Sequence, residues 1–247
     1  MTHSKPILVI NGVEDRLQLV LGSQSGLVFS QQMAARQNAV QLLPMGLAHC
    51  LQMTGLTAKD LGGVVCVRGP GSFTGLRVVM TVAFGLARGA ELPMAGLDYL
   101  PLLARSAAAA WDPGGELWVL TYARKKLVYL QGFSADAEPL SEPAAATAEA
   151  AAEFLDGRSG PIRLIGSGLR QEPDFWRSRL PEASLVGPEW DHPSQAALLQ
   201  AGLEAELSQE PFQPMYLRAS DAEANLDAIA QQRGIDVSTA RDSIPQH

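Results

Sequence analysis

GVVCV (residues 63–67), RGPGSFTG (68–75) and LRVVMTVAFGLARGA (76–90) follow one another without a break. The first five residues are apolar throughout, as a central strand covered on both faces requires. The last fifteen carry apolar side chains at helical spacing. A buried strand passing through a Gly-rich turn into a helix is an α/β unit, and it sets the fold class. In the turn, Gly69, Gly71 and Gly75 permit dihedrals closed to other residues, and Ser72 or Thr74 can cap the helix. Free N–H groups at such a helix start also suit an anion. The G-K-[ST] ending of a Walker A loop is missing, and G-P-G departs from the dinucleotide fingerprint. A tight capped turn and an anion loop both remain open on pattern.

The helix is apolar on more than one side. Leu76, Val79, Met80, Ala83 and Ala87 form one stripe, and Val78, Val82, Gly85, Leu86 and Gly89 a second. Arg77, Thr81 and Arg88 share a narrow polar side. A surface helix needs a single apolar stripe, so this one predicts a cover on two sides. One is its own sheet. The other is either the chain's preceding helix or helices of another subunit, with Gly85 and Gly89 permitting close approach. Arg77, a cation in the first turn, opposes the helix dipole, which predicts an acidic partner for it.

Working outward, 6–11 (PILVIN), 16–22 and 26–31 read as three strands with short connections, an antiparallel meander. A helix over 39–53 carries Val40, Leu43, Leu47 and Leu51 on one stripe, with Pro44 near its first turn. Residues 93–97 make a strand and 97–110 a helix. The turn-rich joint at 111–115 (WDPGG) marks a break. Beyond it, 116–122 and 127–133 form a hairpin around Arg124, Lys125 and Lys126. Alanine-rich 144–155 is helical by propensity. A strand at 161–165 leads into Gly166-Ser167-Gly168, a plain turn or a second anion loop, and a helix spans 193–207. Ser220 to Glu223 has the capping-box pattern, so a last helix runs towards Gly234. No repeat of fixed period is visible. The expected division is an N-terminal lobe over 1–111, a C-terminal α/β lobe over 112–192, a helix and strand at 193–220 returning to the first lobe, and a helical or frayed tail at 221–247.

Composition narrows the function. Of 247 residues, 47% are hydrophobic, enough for a proper core, and the net charge of -7 argues against a broad phosphate-gripping face. Cys50 and Cys66 carry no metal-ligand spacing and read as buried, reduced thiols. His3, His49, His192 and His247 lack i, i+3 or i, i+4 company, so no metal site is expected. Neither G-x-S-x-G nor H-E-x-x-H occurs. Asp191 and His192 are adjacent in a loop and are not expected to act as a pair. The basic hairpin tip reads as solvated, or as a contact for acidic partners. No leader pattern precedes the first strand and no apolar run is long enough for a membrane span, so a cytoplasmic protein is expected.

Gly69-Pro70-Gly71-Ser72-Phe73-Thr74-Gly75-Leu76-Arg77, with a small-residue helix and Pro93 after it, resembles the signature of the TsaB (YeaZ) family, relatives of the glycoprotease M22 group. Leu42-Leu43-Pro44, Ala123-Arg124, Val128-Tyr129 and Pro214 to Arg218 match as well. The resemblance implies a two-lobed actin/Hsp70/sugar-kinase-like (ribonuclease H-like) fold with mixed sheets flanked by helices. It implies a non-catalytic scaffold that activates TsaD in transferring a threonylcarbamoyl group to adenosine next to the anticodon of certain tRNAs (t6A). A TsaD-like paralogue and a TsaE-like ATPase are the implied partners, with a homodimer when the chain is alone and tRNA reached only through the complex. The implied interface is a helical bundle using Leu43, Leu47, Leu76, Val79, Val82 and Leu86, with loop shape set by Gly69, Gly71, Ser72, Thr74, Gly75 and Arg77. No catalytic residue, metal or cofactor of its own is implied; ATP or ADP belongs to the partners or to a shared interface.

Three positions depart from the family pattern. Asn11-Gly12-Val13 stands where the first strand usually ends in Asp-Thr-Ser, which removes an acid and two hydroxyls suited to phosphate or metal. Residues 93–103 lack the His-x-x-x-His pair of the catalytic paralogue. Tyr122 replaces the usual Asp before Ala-Arg. Two rival readings stay open: a nucleotide-binding phosphotransferase of the same fold, and a self-associating structural homodimer.

Overall fold

The computed structural model describes residues 5–35, 38–110 and 114–217. Ile7–Asn11 (β1) and Gly63–Gly69 (β4) pair in parallel at the centre of a five-stranded sheet. Arg16–Ser23 (β2) and Gly26–Ala34 (β3) extend it as an antiparallel meander, and Met94–Asp98 (β5) lies outside β4, giving the order β3-β2-β1-β4-β5. Because side chains alternate along a strand, Ile7, Val9, Val65 and Val67 enter one core, while Leu8, Ile10, Val64 and Cys66 enter another. The unbroken apolar runs in the sequence follow from this double burial.

Helices Ala39–Thr54 (α1) and Phe73–Ala90 (α2) cover the face of Leu8 and Ile10. The opposite face packs on Tyr99–Ala108 (α3) and Gln195–Glu204 (α6). These two helices also bury Leu117, Val119, Tyr129 and Phe133 of a second sheet, so they form the middle layer. That sheet comprises Glu116–Arg124 (β6), Leu127–Phe133 (β7), Ala144–Thr147 (β8), Ile162–Ile165 (β9) and Ser184–Leu185 (β10), in the order β10-β9-β6-β7-β8. Ala148–Asp156 (α4) and Pro173–Arg179 (α5) close its outer face over Trp118 and Leu120.

The two sheets share one topology: three meandering strands, then a fourth parallel to the first, then a fifth outside it. This doubled unit is the two-lobed actin/Hsp70/sugar-kinase-like architecture, an α/β fold. The duplication is invisible as a sequence period because the connections differ in length between the halves.

Several expectations need correction. Ala144–Thr147 is a strand, not the start of a helix. Its backbone completes the edge of β7, and Thr147 caps α4 by accepting from the Ala150 N–H at 3.1 Å. Sheet pairing overrides alanine's helical propensity there. Pro44 is the sixth residue of α1 rather than part of its first turn, and it is exposed, so water can serve the carbonyl left without a donor. α5 and β10 were not anticipated. The joint at 111–113, the helix expected from Ser220, Arg218, His3 and His247 lie outside the described residues. Among the described residues no helix is long and apolar enough to cross a membrane.

Candidate functional site: the crest of α2 and the inter-lobe cleft

The motif loop is a capped turn with a strap across it. Ser72 is the N-cap of α2, accepting from the Gly75 N–H at 3.0 Å; Thr74 is exposed and takes no part. Gly69 has φ +120°, and a Cβ there would stand 2.8 Å from the Met215 carbonyl oxygen. The Met215 N–H in turn donates to the Arg68 carbonyl at 2.8 Å. Tyr216 stacks on Phe73 with ring centroids 4.7 Å apart. Arg77 lies 3.8 Å above the Phe73 ring and donates from Nε to the Tyr216 hydroxyl at 3.0 Å. The partners of Arg77 are therefore aromatic, which corrects the acidic partner expected from the dipole argument: a cation over an aromatic face is also stabilised.

The predicted interface residues separate into two groups. Leu43, Leu47 and Val79 are 0–8% exposed inside the core that α1 and α2 share with the first sheet, and Leu76, 1% exposed, packs into the core on the sheet's other face. In the folded lobe these four side chains face the chain's own core. Each such buried aliphatic side chain contributes roughly 1.5–3 kcal/mol to the lobe. Val82 and Leu86 are half-buried at the margin of that core. Above them runs an open crest. Gly85 and Gly89 are exposed with no atom within 4 Å of an added Cβ, and Val78 beside them is half-buried. On α1, Val40, Met45 and Met53 are 62–68% exposed. On the other flank of α2, Arg77, Met80, Thr81 and Phe84 face Gln213, Pro214 and Tyr216 across a groove of about 740 Å3.

The cleft between the lobes carries a polar cluster that the sequence did not announce. Asn11 is fully buried. Its Nδ2 donates to Gln18 Oε1 at 2.7 Å, its Oδ1 accepts from the Val13 N–H, and Gln18 Nε2 donates to the Pro193 carbonyl. Glu14, at the β1–β2 turn, accepts from the Ser167 hydroxyl on one carboxylate oxygen and from the Tyr99 hydroxyl, at 2.9 Å, on the other. The same Tyr99 hydroxyl is 3.2 Å from the Asp191 carbonyl and 3.4 Å from His192 Nδ1. Burial pushes the Glu14 carboxyl up to about 7 against the two hydrogen bonds, with Asp191 and Asp15 adding to the rise. Burial also holds His192 below the ordinary histidine value, and Arg16 acts in the same direction. Arg170 neutralises Asp191 through paired hydrogen bonds at 2.9 and 3.0 Å. Asp191 and His192 both border this cluster because the segment before α6 crosses the cleft, with the Asp191 carboxylate turned to Arg170 and His192 towards Tyr99. The missed signal was Glu14-Asp15 at the tip of the first hairpin.

These residues do not fit a nucleotide phosphate. At the end of β1 a side chain on Gly12 would place its Cβ 2.3 Å from Val79 Cγ2 and 2.8 Å from Leu17 Cδ2, so the hydroxyl residue of the usual pattern has no room. The hydroxyls of Ser167 and Tyr99 are already engaged by an acid. A phosphate there would have to displace the Glu14 carboxyl from both hydroxyls. Among the described residues, no group of three His, Cys, Asp or Glu could hold a metal ion. His49 bonds Gln31 at 3.1 Å and packs edge-on against Phe29. The hairpin tip at Arg124, Lys125 and Lys126 is exposed, and Ser167 of the Gly166-Ser167-Gly168 turn accepts from the Tyr122 N–H at 2.9 Å.

Comparison with known proteins adds the lineage. The family model for "TsaD: tRNA N6-adenosine threonylcarbamoyltransferase" matches residues 26–172. The Escherichia coli "tRNA threonylcarbamoyladenosine biosynthesis protein TsaB" is 30% identical over 175 residues, 68% of this chain and 74% of that protein. The Haemophilus influenzae protein of the same name is 38% identical over 76 residues, 31% of this chain and 32% of its own. A crystal structure of a Pseudomonas aeruginosa protein with similarity to peptidase YeaZ superposes with a TM-score of 0.71 at 23% identity, covering 87% of this chain and all of that one. By motif, fold and these matches, the chain belongs to the TsaB (YeaZ) family.

Proposed function

We propose that this chain takes part in tRNA threonylcarbamoyladenosine biosynthesis as the docking partner of a TsaD-like paralogue. In this reading it works in the cytoplasm as an activator and does no group transfer itself. The names of the curated relatives and the TsaD-type family model support the process. One observation supports the docking role: α2 holds a crest at Gly85 and Gly89 that nothing among the described residues approaches. Small residues let another helix's backbone come close, and Val78, Val82 and Leu86 beside the crest offer apolar contact to what arrives. A cleft ill-suited to phosphate supports leaving the chemistry to the partner. The net charge of -7 agrees with tRNA being reached through the complex. A TsaE-like ATPase would join the pair, and a homodimer through the same crest would form when the chain is alone.

Co-purification with the cognate TsaD, followed by reconstituted tRNA modification, tests the reading. The expected result is a stable pair and modification that depends on this chain. Val82→Asp should abolish pairing while circular dichroism stays native. A wild-type chain that elutes apart from TsaD and leaves modification unchanged would overturn the proposal.

A further inference from the structure

Glu14 sits where a non-glycine residue is costly, at φ +67° in the tip of the β1–β2 turn. Its side chain is 11% exposed, in a place where an unpaired acid would be expelled. What it gains there is contact with both lobes. One carboxylate oxygen meets Ser167, which follows β9 of the second sheet and is itself held by the Tyr122 N–H of β6. The other meets Tyr99 at the start of α3. The surrounding charged groups are Asp15 and Arg16 on the same turn, Asp191 and His192 before α6, and Arg170 after β9, which is committed to Asp191.

Proton counting favours a carboxylic acid in this place. With Glu14 ionised, the single Tyr99 hydroxyl proton must choose between Glu14 and the Asp191 carbonyl. With Glu14 protonated, the acid donates to Tyr99 and Tyr99 donates to that carbonyl, so no acceptor is abandoned.

We propose that Glu14 is an internal ligand that clasps the two lobes, its carboxyl filling a carboxyl-shaped seat made by the Ser167 and Tyr99 hydroxyls so that the cleft mouth stays shut with nothing bound. The seat's chemistry is that of a small monocarboxylic acid. A chain lacking the Glu14 side chain would accept such an acid from solution.

Hydrogen exchange on the full chain tests this, comparing wild type, Glu14→Ala and Ser167→Ala with 100 mM acetate or 100 mM chloride as the probe. Both variants should exchange at least tenfold faster than wild type at residues 12–15 and 166–170, with the strands of the central core unchanged. Acetate should restore protection and raise the melting temperature of Glu14→Ala, and do neither to wild type. Ser167→Ala removes one hydroxyl and tests the clasp from the opposite lobe should Glu14→Ala fail to fold. Exchange within twofold of wild type in a folded variant would overturn the clasp. Equal responses of Glu14→Ala to acetate and to chloride would overturn the carboxyl seat.

Discussion

The guanidinium of Arg77 bridges two aromatic rings that are far apart in the chain, lying 3.8 Å above Phe73 and bonding the Tyr216 hydroxyl at 3.0 Å. Through this contact the segment after α6 is strapped over the loop that starts α2. Phe212 repeats the pattern about three turns further along α2, edge-to-face with Phe84 at 5.1 Å and seated over Gly96, where an added Cβ would meet its ring at 2.6 Å. The motif loop is thus a fixed support for α2 rather than an open anion cradle.

The strap predicts a ranked pair of variants. Tyr216→Ala loses the ring contact, the cation–π partner and the hydrogen bond, and should lower stability by about 1–2 kcal/mol. Tyr216→Phe keeps the ring and should cost about 0.5 kcal/mol, since its bond to an exposed arginine is shared with water. Urea denaturation reads both. Equal losses for the two variants would show that the hydroxyl, not the ring, holds the segment.

Gly85 separates folding from docking. No atom lies within 4 Å of its added Cβ, and it sits in mid-helix with ordinary helical φ. Gly85→Ala should therefore stabilise the isolated chain by up to about 1 kcal/mol. Gly85→Leu should leave the melting temperature no lower, yet weaken pairing with TsaD at least tenfold by holding the partner's backbone away. A Gly85→Leu chain that pairs with wild-type affinity would move the docking face elsewhere. Leu76→Ala makes the contrast, because a buried Leu→Ala change should cost about 2–5 kcal/mol of lobe stability whether or not a partner is present.

The thiols give a check on the core. Burial pushes Cys50 up to about 11 and Cys66 up to about 12, and both side chains are shut from solvent. Neither should react with Ellman's reagent in the native protein at pH 7.5, and both should react at the rate of unfolding once urea is added. Prompt labelling of one thiol in the native state would show that its helix or strand opens locally.

The fold was legible where burial is two-sided. GVVCV reads as a central strand, and PILVIN as an apolar strand, because both faces of the first sheet are covered, and Leu76, Val79, Met80, Ala83 and Ala87 read as a buried stripe because they are one. Leu43 and Leu47 read as a stripe and are buried in the chain's own core, and periodicity identifies such a buried face without naming what buries it. The cleft was not legible at all. Glu14, Tyr99, Ser167, Asp191 and His192 meet only after two sheets and the middle helices have packed, and no local spacing ties residue 14 to residue 167. Ala144–Thr147 shows the same limit, since its strand exists to finish an edge formed by residues elsewhere.

The cleft predicts a pH dependence whose sign is set by two opposed groups. Glu14 has a folded value of about 7 against an ordinary 4.5, so its contribution to stability is full below about pH 4.5 and is lost as pH rises to 7. The loss is on the order of 3 kcal/mol. His192, depressed below 6.5 by burial and Arg16, acts oppositely: its contribution is present above pH 6.5 and is lost as pH falls through its folded value. Tyr99 is raised well above its usual range and stays protonated throughout. Glu14 has the larger shift, so wild type should lose stability between pH 5 and pH 7. Glu14→Gln keeps an oxygen and an amide for the same two hydroxyls but cannot titrate, leaving His192 in control. The slope should then reverse, with stability rising over the same interval. Urea midpoints at pH 5, 6, 7 and 8 decide it, and a Glu14→Gln profile that still falls as steeply as wild type would show that another group carries the proton.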